Sequence, residues 1–502
     1  MPATEPELMP SESTFKPALM LMTGRALAFA ITFFVPAVLA RVFTQAEFGT
    51  YKQFVLITYT LYSFGQFGLS ECLFYFIPAN PNRAGRYAFN SLVMLGLMGA
   101  LFATVLMLNA SRVAHWMSNE ALRPYIPLSG LYLIFMMMGT VLEITMITRK
   151  NFRLATGTYV VSDILRAAFL IFPALITRNL EWMLIGAVLF CALRVAAVLG
   201  YLKTEFAGNL RFDSTVLREQ LGYALPFFCA VALNIIQQNY HQYAVSWHFD
   251  AATFAIYSVG CLQIPLVDFM ATPASNVMMV QMGEDLREGR HPRLLAVWHD
   301  TTRKLAFVFF PFVGLLVVNA YALITLLYTT RYAASVPIFM VWSLSILFAA
   351  FQTDGVLRTF AENRWLFIIY ITKLAMVLVL MSYFLSRFYL MGPVFVTLSG
   401  IFLAKAMALA RIKKLLRATV SELMPWKSFG STLIISMVSA IPSIILNAKL
   451  EVPTLVLLPV SGMAYVVTYS VLVLALGLLN DEEKAVMKRS LYVWHRRSAE
   501  SR

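Results

Sequence analysis

The sequence predicts an all-α polytopic membrane protein, and three observations carry that prediction. Hydrophobic residues make up 59% of the 502 residues, and only 13% are charged, against about 25% in a typical soluble domain. Mean hydropathy is +0.71. Apolar stretches of the roughly 20 residues needed to cross a bilayer recur from end to end, separated by short polar connections.

The elements follow in order. Residues 1–17 are polar and carry Glu5, Glu7 and Glu12 with four prolines, Pro2, Pro6, Pro10 and Pro17. This cytoplasmic tail lacks the basic start and small-residue cleavage site of a signal peptide, so the first apolar stretch is expected to be kept as a span. About fourteen transmembrane helices are expected, near 18–40, 53–77, 88–109, 125–147, 155–177, 181–202, 221–247, 254–280, 305–327, 334–357, 365–386, 391–410, 428–447 and 453–478. Spans one to six form an N-lobe (18–202) and spans seven to twelve a C-lobe (221–411), joined by a cytoplasmic connector over 203–220. Two additional spans lie in 412–480, and a basic cytoplasmic tail occupies 481–502. The architecture expected is two pseudo-symmetric six-helix lobes plus two C-terminal helices. The connector and 411–427 are candidates for amphipathic segments on the inner leaflet. Pro36, Pro173, Pro226, Pro265, Pro311 and Pro442 fall inside spans, where each removes a backbone hydrogen bond and can bend its helix.

The division into lobes rests on an internal repeat. Phe43, Phe48, Gly49 and Tyr51 read F-x-x-x-x-F-G-x-Y, and Phe249, Phe254, Ala255 and Tyr257 read F-x-x-x-x-F-A-x-Y. Each matched pair is 206 positions apart (249 − 43, 257 − 51). Both copies are expected in short polar loops between apolar stretches. Repeated lobes are a common plan of secondary transporters.

Charge orients the chain. The formal net charge is +14, from 40 Lys and Arg against 26 Asp and Glu. Placing both termini in the cytoplasm gathers most basic residues in cytoplasmic loops, including a basic loop at 287–304, as the positive-inside rule requires. Arg41 and Lys52 of the first hairpin run against this sum. No zinc-ribbon spacing or aromatic-basic pattern points to nucleic acid. Cys72, Cys191, Cys229 and Cys261 fall within spans without a CxxC pair and read as small buried hydrophobes. No metal cluster, paired-carboxylate motif or nucleophile elbow suggests an enzyme.

Ionisable groups in hydrocarbon are costly and usually face a partner or a cavity. Glu71, Glu143, Asp354 and Lys405 lie near the cytoplasmic ends of their spans, where snorkelling accounts for them. Arg25, Arg194 and Lys373 sit deeper, and Arg166 and Asp268 near mid-membrane. Asp163 and Arg166 are three apart and can pair on one helix face, as a structural bridge or in a functional role. Arg25, Arg166, Arg194 and Lys373 are the candidates for a basic cavity, since cations with few acids at matching depth call for an anion, and arginine suits bidentate phosphate recognition. Asn234, Gln237, Gln238, His241 and Gln242 share one face of span seven and either bond to another helix or line the cavity, where they would suit sugar hydroxyls. Asp163, Asp268 and His241 are the candidates for ion coupling.

The stretch from Pro36 through Arg41, Phe48 and Gly49 to Tyr51 resembles the first-hairpin signature of bacterial polysaccharide flippases, in the multidrug/oligosaccharidyl-lipid/polysaccharide exporter superfamily. Gly222-Tyr-Ala-Leu-Pro226, Ala255-Ile-Tyr257 and Leu326-Leu-Tyr328 through Tyr332 to Pro337 continue the resemblance, which covers about 20–480. It implies two six-helix lobes around a positively lined cavity that opens alternately to the two membrane faces. The implied substrate is an undecaprenyl-pyrophosphate-linked oligosaccharide, flipped across the bacterial cytoplasmic (inner) membrane for exopolysaccharide, capsule or O-antigen (lipopolysaccharide) synthesis. The resemblance also implies no bound cofactor, coupling to a proton or sodium gradient, and contacts with membrane lipids and other polysaccharide assembly proteins. Many members carry an acid on span seven sixteen positions before the second-repeat tyrosine; this chain has His241 there, which puts simple carry-over of cation coupling in doubt. Alternatives are a peptidoglycan-precursor flippase, a drug or cation exporter of the same superfamily and, less well supported, a membrane glycan polymerase.

Overall fold

A computed structural model describes residues 33–478, without the side chains of 226, 227 and 229–231. Arg25, Cys229 and both terminal tails lie outside the described residues. Among those described, every regular element is helical, as the composition predicts.

Helix α1 is described over Phe33–Val42. A capping box then starts α2 (Gln45–Gly65): Thr44 accepts from the Glu47 amide, and the Glu47 carboxylate accepts from the Thr44 amide at 2.9 Å. Such a cap satisfies two amides that a helix start leaves free. The first copy of the repeat motif is therefore a helix start rather than a loop. The second copy behaves alike, with Asp250 accepting from the Thr253 amide at 2.9 Å ahead of Phe254 and Tyr257 in α11 (Ala251–Gly260). The two copies also touch, because a Cβ on Gly49 would overlap the Ala251 carbonyl.

Among the described residues, ten helices are long and apolar enough to cross a membrane. They comprise α4 (Ala84–Leu108), α8 (Phe152–Thr177), α9 (Leu180–Glu205), α13 (His291–Val318), α18 (Asn363–Phe388), α19 (Met391–Leu415), α21 (Trp426–Lys449), α22 (Thr454–Ala475) and two composite spans. One composite is α6 (Ile126–Gly139) with α7 (Val141–Thr148); the other joins α15 (Val336–Ser343), α16 (Ser345–Ala349) and α17 (Thr353–Thr359). The remaining four expected spans correspond to α1, α2, α10 (Ser214–His248) and α12 (Leu266–Arg287). Short helices α3 (Leu73–Ala79), α5 (Ala110–Trp116), α14 (Ala320–Tyr328) and α20 (Val420–Leu423) complete the set.

Several spans expected to be continuous are broken. Span two unwinds between Gly65 and Leu73, where Phe67 and Gly68 take positive φ (49° and 72°) and Gly68 lies against Ala224. Span eight is interrupted between α11 and α12, and span ten at Phe351–Gln352. The connector, in contrast, is mostly helix: α9 ends at Glu205 and α10 begins at Ser214. Asp213 caps α10 and pairs with Arg86 at 2.9 Å, which holds its carboxyl below the usual range. Gln220 is buried, donating to Ser91 at 2.8 Å. The 287–304 basic loop is helical from His291 on, and its Trp298 donates to the Leu423 carbonyl at 2.9 Å.

The chain divides into two compact units, Met1–Ser258 and Val259–Arg502. In the first, the core runs through Leu92 and Leu95 of α4, Leu133 and Met137 of α6 and Val198 of α9. Gly99 brings α4 within 2.7 Å of the Ile134 backbone, measured from an added Cβ. In the second, small residues let α21 and α22 approach α13 closely. Tyr465 lies over Gly314 and donates to the Ser436 carbonyl, and Ser443 donates to the Ser461 carbonyl at 2.7 Å.

A second, longer register supports duplication. Ser118, Lys150 and Arg178 take positive φ, which is uncommon outside glycine. They recur as Thr329, Ala361 and Tyr389, each 211 positions on (329 − 118, 361 − 150, 389 − 178). Helices α8 and α18, each 26 residues long, start 211 apart (363 − 152). The register grows from 206 to 211 between Tyr51 and Ser118, within the stretch where span two breaks.

Substituting Gly49→Val should drive a side chain into the Ala251 backbone and cost about 1–3 kcal/mol. Gly200→Ala, with nothing within 4 Å of its added Cβ, should be neutral or stabilising. Thermal unfolding of the detergent-purified variants checks both.

Candidate functional site

A helix interrupted inside a membrane leaves carbonyls without amide partners. In the first unit, the α6–α7 break at Thr140 is served by Arg194 of α9. The Arg194 Nη2 donates to the Gly139 carbonyl at 3.0 Å and to Glu143 Oε2 at 2.7 Å. Glu143, in the first turn of α7, is 3% exposed. The unwound part of span two reaches the same point: Gln66 Nε2 is 3.5 Å and Ser70 Oγ 3.4 Å from Thr140 Oγ1. Nearby on α8, Arg166 pairs with Asp163 at 2.5 Å. An open groove of about 410 Å³ lies among α7, α8 and α9, lined mainly by apolar side chains such as Leu142, Leu154, Val161, Phe190 and Leu193, with Arg153 and Arg194 also on it.

The second unit repeats this arrangement at its own break. Lys405 of α19 donates to the Phe351 carbonyl at 2.8 Å and to Thr353 Oγ1 at 3.1 Å, with Asp354 Oδ1 3.8 Å away. Tyr370 donates to Asp354 Oδ2 at 2.6 Å. Acid and base both keep the 211 register (354 − 143, 405 − 194). Glu143 and Asp354 thus pair with cations rather than snorkelling alone, and Arg194 has an acid at its own depth. Helix packing, which apolar periodicity does not specify, supplies both partners. The 211 spacing of the two acid–base pairs was the available signal in the sequence.

The polar face of α10 divides. Gln237 and His241 are buried, Gln242 is half-buried, and Asn234 and Gln238 are exposed. The His241 Nδ1 and the Tyr257 hydroxyl share a hydrogen bond of 2.7 Å, so the histidine at the position noted for its departure is tied to the repeat's own tyrosine. A further buried cluster was not anticipated: Gln53 donates to Ser246 Oγ at 2.8 Å, and Asn119 donates to Gln53 Oε1 at 2.6 Å and to Thr50 Oγ1 at 2.8 Å. In the second unit, Lys373 lies across Gly400 of α19, and Asp268 is exposed in the first turn of α12. The first unit therefore brings together Arg166 with Asp163 and Arg194 with Glu143, whereas Arg25 lies outside the described residues.

Interrupted helices carrying paired charges sit within an all-helical polytopic fold, and solved structures share that fold. The lipid II flippase MurJ in an inward closed conformation superposes with a TM-score of 0.70 at 12% identity, covering 92% of this chain and 99% of that one. An inward-facing multidrug resistance MATE transporter of the MOP superfamily gives 0.57 at 14% identity, covering 80% and 96%. A MOP superfamily transporter from Pyrococcus furiosus, described as having a binding pocket of reverse polarity, gives 0.52 at 12% identity, covering 80% and 97%. Comparison with curated protein sequences gives no match. The chain belongs to the polysaccharide biosynthesis protein family, whose model matches residues 38–337, more than half of its length.

Leaving one member of a buried ion pair alone is strongly destabilising. Arg194→Leu should cost about 3 kcal/mol or more, and adding Glu143→Leu should recover part of that loss. Arg149→Leu, at the more exposed bridge to Glu205, should stay within about 1 kcal/mol. Unfolding temperatures of the two single variants and the double variant test this ranking.

Proposed function

We propose that this protein is a flippase. It carries an undecaprenyl-pyrophosphate-linked oligosaccharide across the bacterial cytoplasmic membrane by alternating access, for exopolysaccharide, capsule or O-antigen assembly. The observation that carries the reading is Arg194, which borders an open groove among membrane-spanning helices of a polysaccharide biosynthesis protein. A guanidinium in a low-dielectric setting favours a phosphate oxygen over any cationic cargo, which weighs against drug or cation export. The amides and His241 of α10 supply donors and acceptors suited to sugar hydroxyls. Both termini are cytoplasmic in this reading, the glycan repeat enters from the inside, and membrane lipids and other assembly proteins are its partners. Transport draws on a proton or sodium gradient and needs no bound cofactor. The MurJ structure supports the fold alone, and the family match favours a polysaccharide repeat unit over a peptidoglycan precursor.

Deleting the protein should trap a complete lipid-linked repeat unit on the cytoplasmic leaflet, and the wild-type chain should clear it. Arg25→Glu and the Arg194→Gln, Glu143→Gln double variant, which leaves no unpaired buried charge, should reach the membrane yet leave at least tenfold more trapped intermediate. Complete repeat units on the outer leaflet of the deletion strain, with only chain extension lost, would place the protein at a polymerising step instead.

A further inference from the structure

The two charge nodes differ in how their carboxylates are satisfied. In the second unit both carboxylate oxygens of Asp354 are engaged: Tyr370 donates to Oδ2 at 2.6 Å and Thr353 to Oδ1 at 3.1 Å. In the first unit, Arg194 takes Glu143 Oε2, while Oε1 is buried and, among the described residues, has no hydrogen-bond partner. The 211 register explains the loss, because Leu142 stands where the second unit has Thr353 (353 − 142), and the hydroxyl donor is gone. A buried anionic oxygen without a donor bears its full desolvation cost. Protonation removes that charge.

Arg194 is shared between two surroundings. It holds Glu143 and the Gly139 carbonyl, and it also borders the open groove of about 410 Å³ whose other cation is Arg153. Arg153 is exposed and, among the described residues, makes no ion pair. We propose that Glu143 is the resident counter-ion of Arg194 and that a phosphate group of the lipid substrate replaces it, with one proton taken up on Glu143 as the anion binds. This rests on the flippase reading and deepens it by naming the coupled group. The exchange balances: a solvent proton adds to Glu143 Oε1, and the Arg194 hydrogen bond passes from Oε2 to a phosphate oxygen. The site is neutral before, as carboxylate with guanidinium, and neutral after, as carboxylic acid with guanidinium and one phosphate charge. Keeping a low-dielectric site neutral at each stage avoids burying an uncompensated ion.

Among the described residues the charged groups around Glu143 are few, and the unwound part of span two adds Glu71, which acts with Arg194 on Tyr62. Arg194 faces it from α9, and Asp163, with its partner Arg166, from α8. Helix α3 carries no charged residue, and Arg86 of α4 is paired with Asp213.

The test is binding of farnesyl pyrophosphate, an isoprenyl pyrophosphate probe, to the full-length protein in detergent across pH 6 to 9. The probe's own titration is common to all variants. Wild-type affinity should fall as pH rises, by up to about tenfold per pH unit beyond the probe's own trend. Glu143→Gln should bind at high pH as tightly as the wild type does at low pH, without that extra slope. Glu143→Asp and Asp163→Asn should keep the slope, and Arg194→Gln should lose binding by at least tenfold. A Glu143→Gln variant with the wild-type slope overturns the proposal while the flippase reading stands. Wild-type protein that does not bind the probe at any pH overturns both.

Discussion

Inside a bilayer every backbone carbonyl must find a donor within the protein, and this structure meets that demand at two of its helix breaks with cations. Arg194 and Lys405 each donate to a carbonyl at a break in the fourth span of a repeat, Gly139 in one case and Phe351 in the other. The cations then need counter-ions, which Glu143 and Asp354 supply one turn on. The breaks, the charges and the groove beside Arg194 are thus parts of one arrangement.

Duplication gave the chain two such nodes, and divergence set them apart. Helix lengths, positive-φ residues and the acid–base pairs all hold the 211 register. The substitution that matters is Leu142 in place of Thr353, which leaves one carboxylate oxygen buried and, among the described residues, unserved. Asp354, bonded by tyrosine and threonine, has the character of a structural anchor. Glu143 is poised to change its protonation state, so the two repeats suit different tasks: one holds its break, and the other exchanges partners.

Most of the architecture was legible in the sequence, because hydrocarbon thickness imposes a length that hydropathy reports directly. Spans such as α8, α9, α18 and α19 appear close to where apolar runs place them. Other features were not legible. The unwinding at Phe67 and Gly68, where Ala224 packs against Gly68, has no such signal, whereas Thr44-x-x-Glu47 is a capping-box pattern that marks a helix start where a loop was expected. For the site, the Asp163–Arg166 bridge followed from helical spacing alone. The Arg194–Glu143 pair joins residues 51 apart in sequence on different helices, and no local pattern announces it. The polar face of α10 was visible as a stripe, but not its division into a buried half with His241 against Tyr257 and an exposed half with Asn234 and Gln238.

The central claim is that the protein moves an anionic lipid-linked glycan between leaflets, and reconstitution tests it most directly. The purified chain would be placed in liposomes carrying a fluorescent undecaprenyl-pyrophosphate oligosaccharide, and an impermeant quencher added outside. Flipping predicts that the quenched fraction rises from about half towards completion at a rate set by protein density. A quenched fraction that stays at the protein-free level under an imposed proton or sodium gradient would contradict the account.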